Sequence, residues 1–512
     1  MKKIFALFMA ALSVAVLSGT LQATPRPSTA LSLKIARQVV NSQLARGKNP
    51  GTPVNETLAK QYRSVLFSRF LKYVTYNSQS SYTEEITPNQ IETAQKLYNE
   101  IKALGYPQAQ LSEHHYIFVK IPSNLPEGQT SPILGFSAHY DVTPDVTTDN
   151  VHAQVINNYR GNKIDLGTNP KGERQSLDPN TKRDAYLKTQ IGKTIVTSDG
   201  STNLGADDRA GMSILITLLQ VLAENPTRPH GEIQMVIAPN EETGGAADYI
   251  TEVPYRPEIA FDFDGSVDGE LMINNFNALQ ILVTVKGHEG HQSNADGTYI
   301  NHGLAAADLV KQVYEDPSIP RRFPGNSIVN PKSTNGHWLR LPTESRNMEG
   351  YLDVFLQRPA NDITIVDFRA RSFAQADLDE IEQFIREITN FLAVKYHDPE
   401  TGKKITFSIE TKSTYNNVGE TAHPASMEVA RAAFAGAGVK MRPVSERAGT
   451  TGAIFVSATK NEKEKIVGSF MLLTGQNNMH SYVEWLSEED MFRGFWIGLN
   501  IIDQVTLLGN NK

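Results

Sequence analysis

The sequence predicts a mixed α/β fold, in which a mostly parallel sheet domain is interrupted by an inserted β-α-β-β-α-β, or ferredoxin-like, unit. Three observations carry this. Four short apolar runs, "SPILGFSA", "EIQMVIA", "EIAFDF" and "KIVGSFMLL", are continuous rather than alternating, which suits strands buried on both faces of a parallel sheet. Between the first two, "DDRAGMSILITLLQVLAE" has the length and period of a crossover helix. In the middle of the chain the pattern changes to a strand at about 278–286, a helix in "INHGLAAADLVKQVYE", strands in "GYLDVFLQ" and "DITIVDFRA", a helix in "QADLDEIEQFIREITNFLAVKY" and a strand in "KITFSIET".

Taken in order, residues 1–23 place two lysines before a short apolar run, the layout of a cleavable secretory signal, so the expected product is exported to the periplasm or the medium without a remaining membrane span. After a polar lead-in to about residue 58, helical periodicity begins in "KQYRSVLFSRFLKYV". The next helix has Thr87 as N-cap, Pro88 at its first position and Gly105 as its stop. Residues 24–275 then form the first part of the sheet domain, 276–414 the insertion, and 415–512 the second part. Inside the insertion, 316–345 form a long loop rich in Pro, Arg, Asn and Ser.

Composition narrows the chemistry. The 512 residues are 40% hydrophobic and 21% charged, with a formal net charge of -7, and nothing in that balance suggests a nucleic-acid partner. There is no cysteine, so a bound metal must be held by His, Asp and Glu. Five such residues stand just past predicted strands or at the turn into the crossover helix: His139, Asp207, Glu242, Asp264 and His480. Open α/β sheets bind ligands beyond the carboxyl ends of their strands, so these five can meet there. Two imidazoles and three carboxylates complete a two-Zn²⁺ site if one carboxylate bridges, leaving room for a water. Adjacent Glu241 and Glu242 are expected to point to opposite sides, one as ligand and the other as general base. His139 and Asp141 share a side, so Asp141 can hold the imidazole in its metal-binding tautomer. The remaining histidines of the sheet domain lack this strand-end context.

These residues sit in segments that resemble the peptidase T family of co-catalytic zinc exopeptidases: "GFSAHYDVTPD", "VINNYRGNKIDLG", "TIVTSDGSTNLGADDRAG", "PNEETGGAA", "DFDGSVDGELMINNFNA" and "MLLTGQNNMH", in the family's order over roughly 60–512. The resemblance implies a sheet domain that carries catalysis, with the ferredoxin-like insertion acting as a lid through which two copies can pair. It implies that His139, Asp207 and Asp264 hold one Zn²⁺ and that His480, Asp207 and Glu242 hold the other, with Asp207 bridging. Glu241 is then the general base and Asp141 the residue that orients His139. His291 is implied to steady the carbonyl oxyanion, and Arg447 and Arg369 to bind substrate. The implied reaction removes the N-terminal residue of short peptides, tripeptides above all. A related zinc carboxypeptidase or N-acyl amino acid deacylase is an alternative, since the same metals serve any amide, and an exported non-catalytic peptide-binding protein is a third. The chain departs from the family's pattern in its leading segment, since the family is cytoplasmic. It departs also in Gln292-Ser293 after His291 instead of Pro-Gly, in Thr451 where Asp is usual, and in the length of the 316–345 loop.

Overall fold

A computed structural model describes residues 53–288, 300–315, 351–360 and 362–509. The continuous apolar runs become the centre of an eight-stranded sheet. In spatial order it consists of Gln110–Leu111, Ile117–Ile121, Ile233–Ala238, Leu134–His139, Ile259–Gly265, Ser469–Leu473, Glu270–Asn275 and Arg442–Glu446. The four strands from Ile233–Ala238 to Ser469–Leu473 run parallel, while Ile117–Ile121 and Glu270–Asn275 are antiparallel to the neighbours that join them to this block. Every residue of Leu134–His139 and of Ile233–Ala238 is buried, which is why these runs lack the alternation of a half-exposed strand.

The crossover helix is Ala206–Glu224, and it packs with the helices Pro53–Tyr73 and Glu488–Gly509 over the face that presents Phe136, Met235 and Ile237. The other face presents Val236 and Ala238 to Phe455 of the helix Thr451–Thr459. A polar lead-in was expected to reach about residue 58, but the first helix begins at Pro53 and buries Asn55 against Asn500. The helix Pro88–Ala103 has the expected capping: the Thr87 hydroxyl accepts from Gln90 N, Thr87 N donates to the Gln90 side chain, and Gly105 follows with φ +108°.

The insertion is a second sheet with its own core. Its spatial order is Tyr351–Ala360, Ile363–Ser372, Asn277–Lys286 and Thr406–Tyr415, with all neighbours antiparallel, and the helices His302–Glu315 and Gln375–Lys395 cover one side. This is the strand order of a split βαβ unit. The chain passes between the two sheets at Asn275–Asn277 and again at Asn416–Asn417, and the two crossings are stitched together. Val418 N donates to Asn275 Oδ1 at 2.8 Å, Asn417 N to Asn277 Oδ1 at 2.7 Å, and Asn275 Nδ2 to Asn416 O at 3.3 Å. The 316–345 loop lies outside the described residues.

Arg69 Nε donates to Glu100 Oε1 at 3.0 Å and Lys72 Nζ to Oε2 at 2.7 Å, tying the first two helices together. Burial alone would raise the Glu100 pKa, but the two cationic donors outweigh it and hold the carboxyl below its ordinary 4.5. A depressed acid contributes stability that is present above its unfolded pKa and lost as the pH falls through its folded value. Glu100→Gln is therefore expected to unfold at lower urea than wild type at neutral pH, the difference closing as the pH falls below 4.5 and through the lowered folded value. A difference independent of pH would remove the electrostatic explanation.

Candidate active site

The carboxyl ends of the parallel strands converge on one acidic cluster. His139 is the last residue of its strand and has no exposed surface. Its Nε2 lies 3.1 Å from Asp207 Oδ1, 3.9 Å from Asp264 Oδ1 and 4.0 Å from Glu241 Oε2. On the far side of Asp207, His480 Nε2 is 3.3 Å from Oδ2 and 2.7 Å from Glu242 Oε2. Asp207 thus turns one oxygen to each histidine. Two three-residue groups result, His139/Asp207/Asp264 and Asp207/Glu242/His480, each with ligand atoms within 4.8 Å of one another, and these are the only such groups among the described residues. A donor set of imidazole and carboxylate with one shared carboxylate fits two metal ions.

Asp141 arranges the neighbours of this cluster. Fully buried, it sets its main-chain O 3.1 Å and its Oδ1 3.3 Å from His139 Nδ1, and its two carboxylate oxygens accept from the backbone N–H groups of Glu241 at 3.0 Å and Glu242 at 3.2 Å. The glutamates are not on an extended strand, as expected from sequence, but in a turn entered through Asn240 in the left-handed region at φ +56°. Both carboxylates therefore line the same cavity, and they differ in what they meet rather than in which way they point. Asn240 is an affordable residue for that backbone. It is fixed by Gln90, whose Nε2 donates to its Oδ1 at 2.7 Å, and its carbonyl accepts from Gly245 N at 2.8 Å.

Three further residues support the cluster and carry little sequence signal. Gln476 Nε2 donates to Asp264 Oδ1 and to its carbonyl, both at 2.9 Å. Asp208 accepts from His139 N at 3.2 Å and from Gly211 N at 2.9 Å, so it caps the straight part of the crossover helix. Glu484, fully buried, receives the backbone N–H groups of Gly205 and Asp207. The second Asp of "GADDRAG" reads as a cap in retrospect, whereas nothing in "SYVEWL" distinguishes Glu484 from a surface acid.

So many buried acids repel one another. Burial, reinforced by the Asp207 carboxylate, pushes Glu241 up to about 7 and Glu242 up to about 8. Burial together with Asp207 also holds Asp264 well above its ordinary value. Asp207 moves the opposite way, because hydrogen bonds from His139 and His480 outweigh its burial. The adjoining cavity, ≈540 Å³, adds the carboxylates of Glu270 and Glu446 and a wall of Met272, Met471 and Met479, and no lysine or arginine is among the described residues lining it. Arg442 meets Glu270 from outside the cavity at 2.9 Å, and His139 and His480 face the inner carboxylates; bound cations would balance the remaining charge locally.

Of the other residues singled out, Arg447 follows the cavity-lining Glu446 and places its guanidinium 5.5 Å from the Phe276 ring centroid. Arg369 is outside the cavity: it donates to Asp367 Oδ2 at 3.1 Å and stacks over Phe355, both within the lid sheet. His291 lies outside the described residues. Thr451, at the expected Asp position, is buried at the start of the helix capped by Thr450.

Residues 204–504 match the model of peptidase family M20/M25/M40. The chain belongs to this family. Peptidase T of Halothermothrix orenii is 30% identical over 442 residues, covering 85% of this chain and 97% of the relative. Peptidase T of Alkaliphilus oremlandii is 30% identical over 451 residues, 86% and 98% of the respective chains. Among solved structures, the aminopeptidase PepT of Bacillus cereus aligns with a TM-score of 0.57 at 16% identity over 86% of this chain and 98% of its own. A dinuclear metal-binding peptidase of the M20 family from Bacillus subtilis aligns at 0.52 and 11% over 88% and 100%. At these identities the structures speak to the fold, and they share it. The peptidase T relatives make this chain a hydrolase of the metallo-aminopeptidase kind, and the carboxypeptidase, deacylase and non-catalytic readings are not favoured.

Export is corrected by the same comparisons. The relatives are peptidase T enzymes, a cytoplasmic family, and give no support to an exported form. Residues 1–23 lie outside the described residues, and no helix among those described is long and apolar enough to cross a membrane. Two lysines before a short apolar run are a compositional pattern, and the pattern alone does not carry the reading.

Asp141→Asn tests the arrangement. An amide can accept at one oxygen only, so a carboxylate contact to His139 or a Glu241/Glu242 backbone bond is lost, while the main-chain carbonyl stays 3.1 Å from His139 Nδ1. Metal affinity of chelator-stripped protein is expected to fall about 10–100-fold, measured by calorimetry; an unchanged affinity would show that Asp141 does not orient the site.

Proposed function

We propose that the cluster holds two Zn²⁺ ions and that the enzyme removes the N-terminal residue of short peptides, tripeptides above all. The observation that supports this is Asp207, whose two oxygens are divided between His139 at 3.1 Å and His480 at 3.3 Å, as a bridging ligand requires. In this reading His139, Asp207 and Asp264 hold one ion and Asp207, Glu242 and His480 the other. When bound, the ions supply Lewis acidity to the scissile carbonyl and to the attacking water.

Glu241 stands beside the ligand atoms but belongs to neither three-residue group. It takes the proton from the attacking water and delivers it to the leaving amine as the C–N bond breaks. Asp141 keeps His139 Nε2 facing Asp207 by occupying Nδ1. The carboxylate of Glu446, with that of Glu270 shared with Arg442 at 2.9 Å, favours a substrate with a free ammonium group over a blocked one, while the methionine wall accommodates an apolar side chain. Arg447, next in sequence to the cavity-lining Glu446, is assigned to the substrate's carboxylate. Arg369 would reach it only if the lid closed, and His291 is assigned to the oxyanion by resemblance alone. Two copies pairing through the lid is supported by the strand Tyr351–Ala360, which lies at the edge of its sheet among the described residues and exposes Leu356 and part of Phe355; a monomer in sedimentation equilibrium would remove that part of the proposal.

The reading is tested by comparing Ala-Ala-Ala with its N-acetylated form, with and without chelator. The free tripeptide is expected to be cleaved faster, chelator to stop the reaction and Zn²⁺ to restore it. In Glu241→Gln, kcat should fall by about 10²–10⁴-fold with both ions still bound. Preference for the blocked peptide would overturn the aminopeptidase reading, and a near-normal rate in the variant would overturn the assignment of the base.

A further inference from the structure

The backbone that carries Asp207 is gripped from two sides by a pair of buried residues, one acidic and one basic, that are not in the metal set. On one side Glu484 accepts from Gly205 N at 2.5 Å with Oε2 and from Asp207 N at 3.1 Å with Oε1. On the other, the fully buried Arg209 donates to Leu204 O at 3.0 Å and to Tyr76 O. Gly205, at φ +66°, is what lets the guanidinium lie so close: a Cβ there would be 2.0 Å from Arg209 Nη1. The loop 204–207 is thus clamped between a carboxylate on its amides and a guanidinium on its carbonyl.

Glu484 has a second attachment. It lies four residues after His480, at the end of a loop whose backbone is left-handed at both Asn478 (φ +54°) and His480 (φ +55°), and immediately before the strand Trp485–Ser487, which pairs with Ile195–Thr197. One side chain therefore links the loop carrying His480 to the backbone carrying Asp207. His139 and Asp264, in contrast, have supports of their own in Asp141 and Gln476.

The geometry assigns Glu484 as a positioning residue that holds the bridging Asp207 in register with His480 and so governs binding at the Asp207/Glu242/His480 half of the site more than at the His139/Asp207/Asp264 half. Glu484 touches no substrate and no ligand side chain; it acts through two backbone N–H groups. The inference rests on the two-metal reading above. Its general form is familiar: a group that orients a ligand without touching the metal can matter to affinity nearly as much as the ligand itself.

Glu484→Gln tests it, because the amide keeps the side chain's volume but turns an N–H donor toward one of the two backbone N–H groups. Chelator-stripped wild type and variant are titrated with Zn²⁺ by calorimetry, and their melting temperatures are compared without metal. Wild type is expected to take up two ions. In the variant one ion is expected to bind about 10–100-fold more weakly, the other to change by much less, so that the two affinities separate. Glu484→Asp, which keeps the charge on a shorter reach, should separate them less, and it replaces the Gln variant if that one does not fold. Two affinities equal to wild type, or both weakened alike with a lower metal-free melting temperature, would overturn the positioning role. Fewer than two ions in wild type would instead bring down the two-metal reading, and this inference with it.

Discussion

The cluster depends on one carboxylate that stands outside both three-residue groups. Asp141 follows directly on the strand Leu134–His139, and the turn it grips follows directly on the neighbouring parallel strand Ile233–Ala238. Its oxygens satisfy the first two amides of that turn while one of them faces His139 Nδ1. One buried group therefore sets the rotation of an imidazole on one strand and the entry of two glutamates from the next. Parallel pairing brings the two strand ends level, and Asp141 converts that proximity into a fixed angle. A histidine at a strand end without such a partner would have two tautomers and a free ring, and the paired glutamates would be a solvated turn.

The second constraint is electrostatic. Asp141, Asp207, Asp208, Asp262 and Glu484 are all buried within this one region, with Glu241, Glu242 and Asp264 beside them. The fold holds them apart by hydrogen bonds to backbone and side-chain donors, not by surrounding them with lysines and arginines; among the described residues Arg209 is the buried guanidinium facing the group, and burial lowers its own pKa to about 10. An assembly of this kind is suited to receiving cations, since bound divalent charge turns mutual repulsion into ligation.

Much of this could be read from the sequence, for identifiable reasons. Strand ends were visible because buried parallel strands are continuous apolar runs, and the polar residue at the end of a run enters the acidic cluster, as at His139 and Asp264. The insertion was visible because its helices are amphipathic and its strands alternate. The reason given for the glutamate pair was a strand's alternation, whereas the structure uses a left-handed Asn240; a single residue outside the extended region undoes a period-two argument. Gln476 and Glu484 act through bonds to residues far along the chain, and pairings of that kind leave no local pattern. The leading segment misled because a charge pattern and a short apolar run can be scored without any tertiary partner to check them against.

The paired crossings at Asn275–Asn277 and Asn416–Asn417 bear on how the lid can move. A body joined to another by one strand of chain can twist, bend and slide; this one is joined by two that are hydrogen-bonded side by side, and beside them its strand Thr406–Tyr415 packs on the helix Thr451–Thr459, where Ser457 Oγ donates to Ser413 O at 3.4 Å. Asn275, Asn277 and Asn417 are almost wholly buried, so their amides have no water to exchange with when the joint flexes. Two pins and a shared face hold the lid, so any swing that carried it toward the cavity would have to slide the strand Thr406–Tyr415 over the helix Thr451–Thr459.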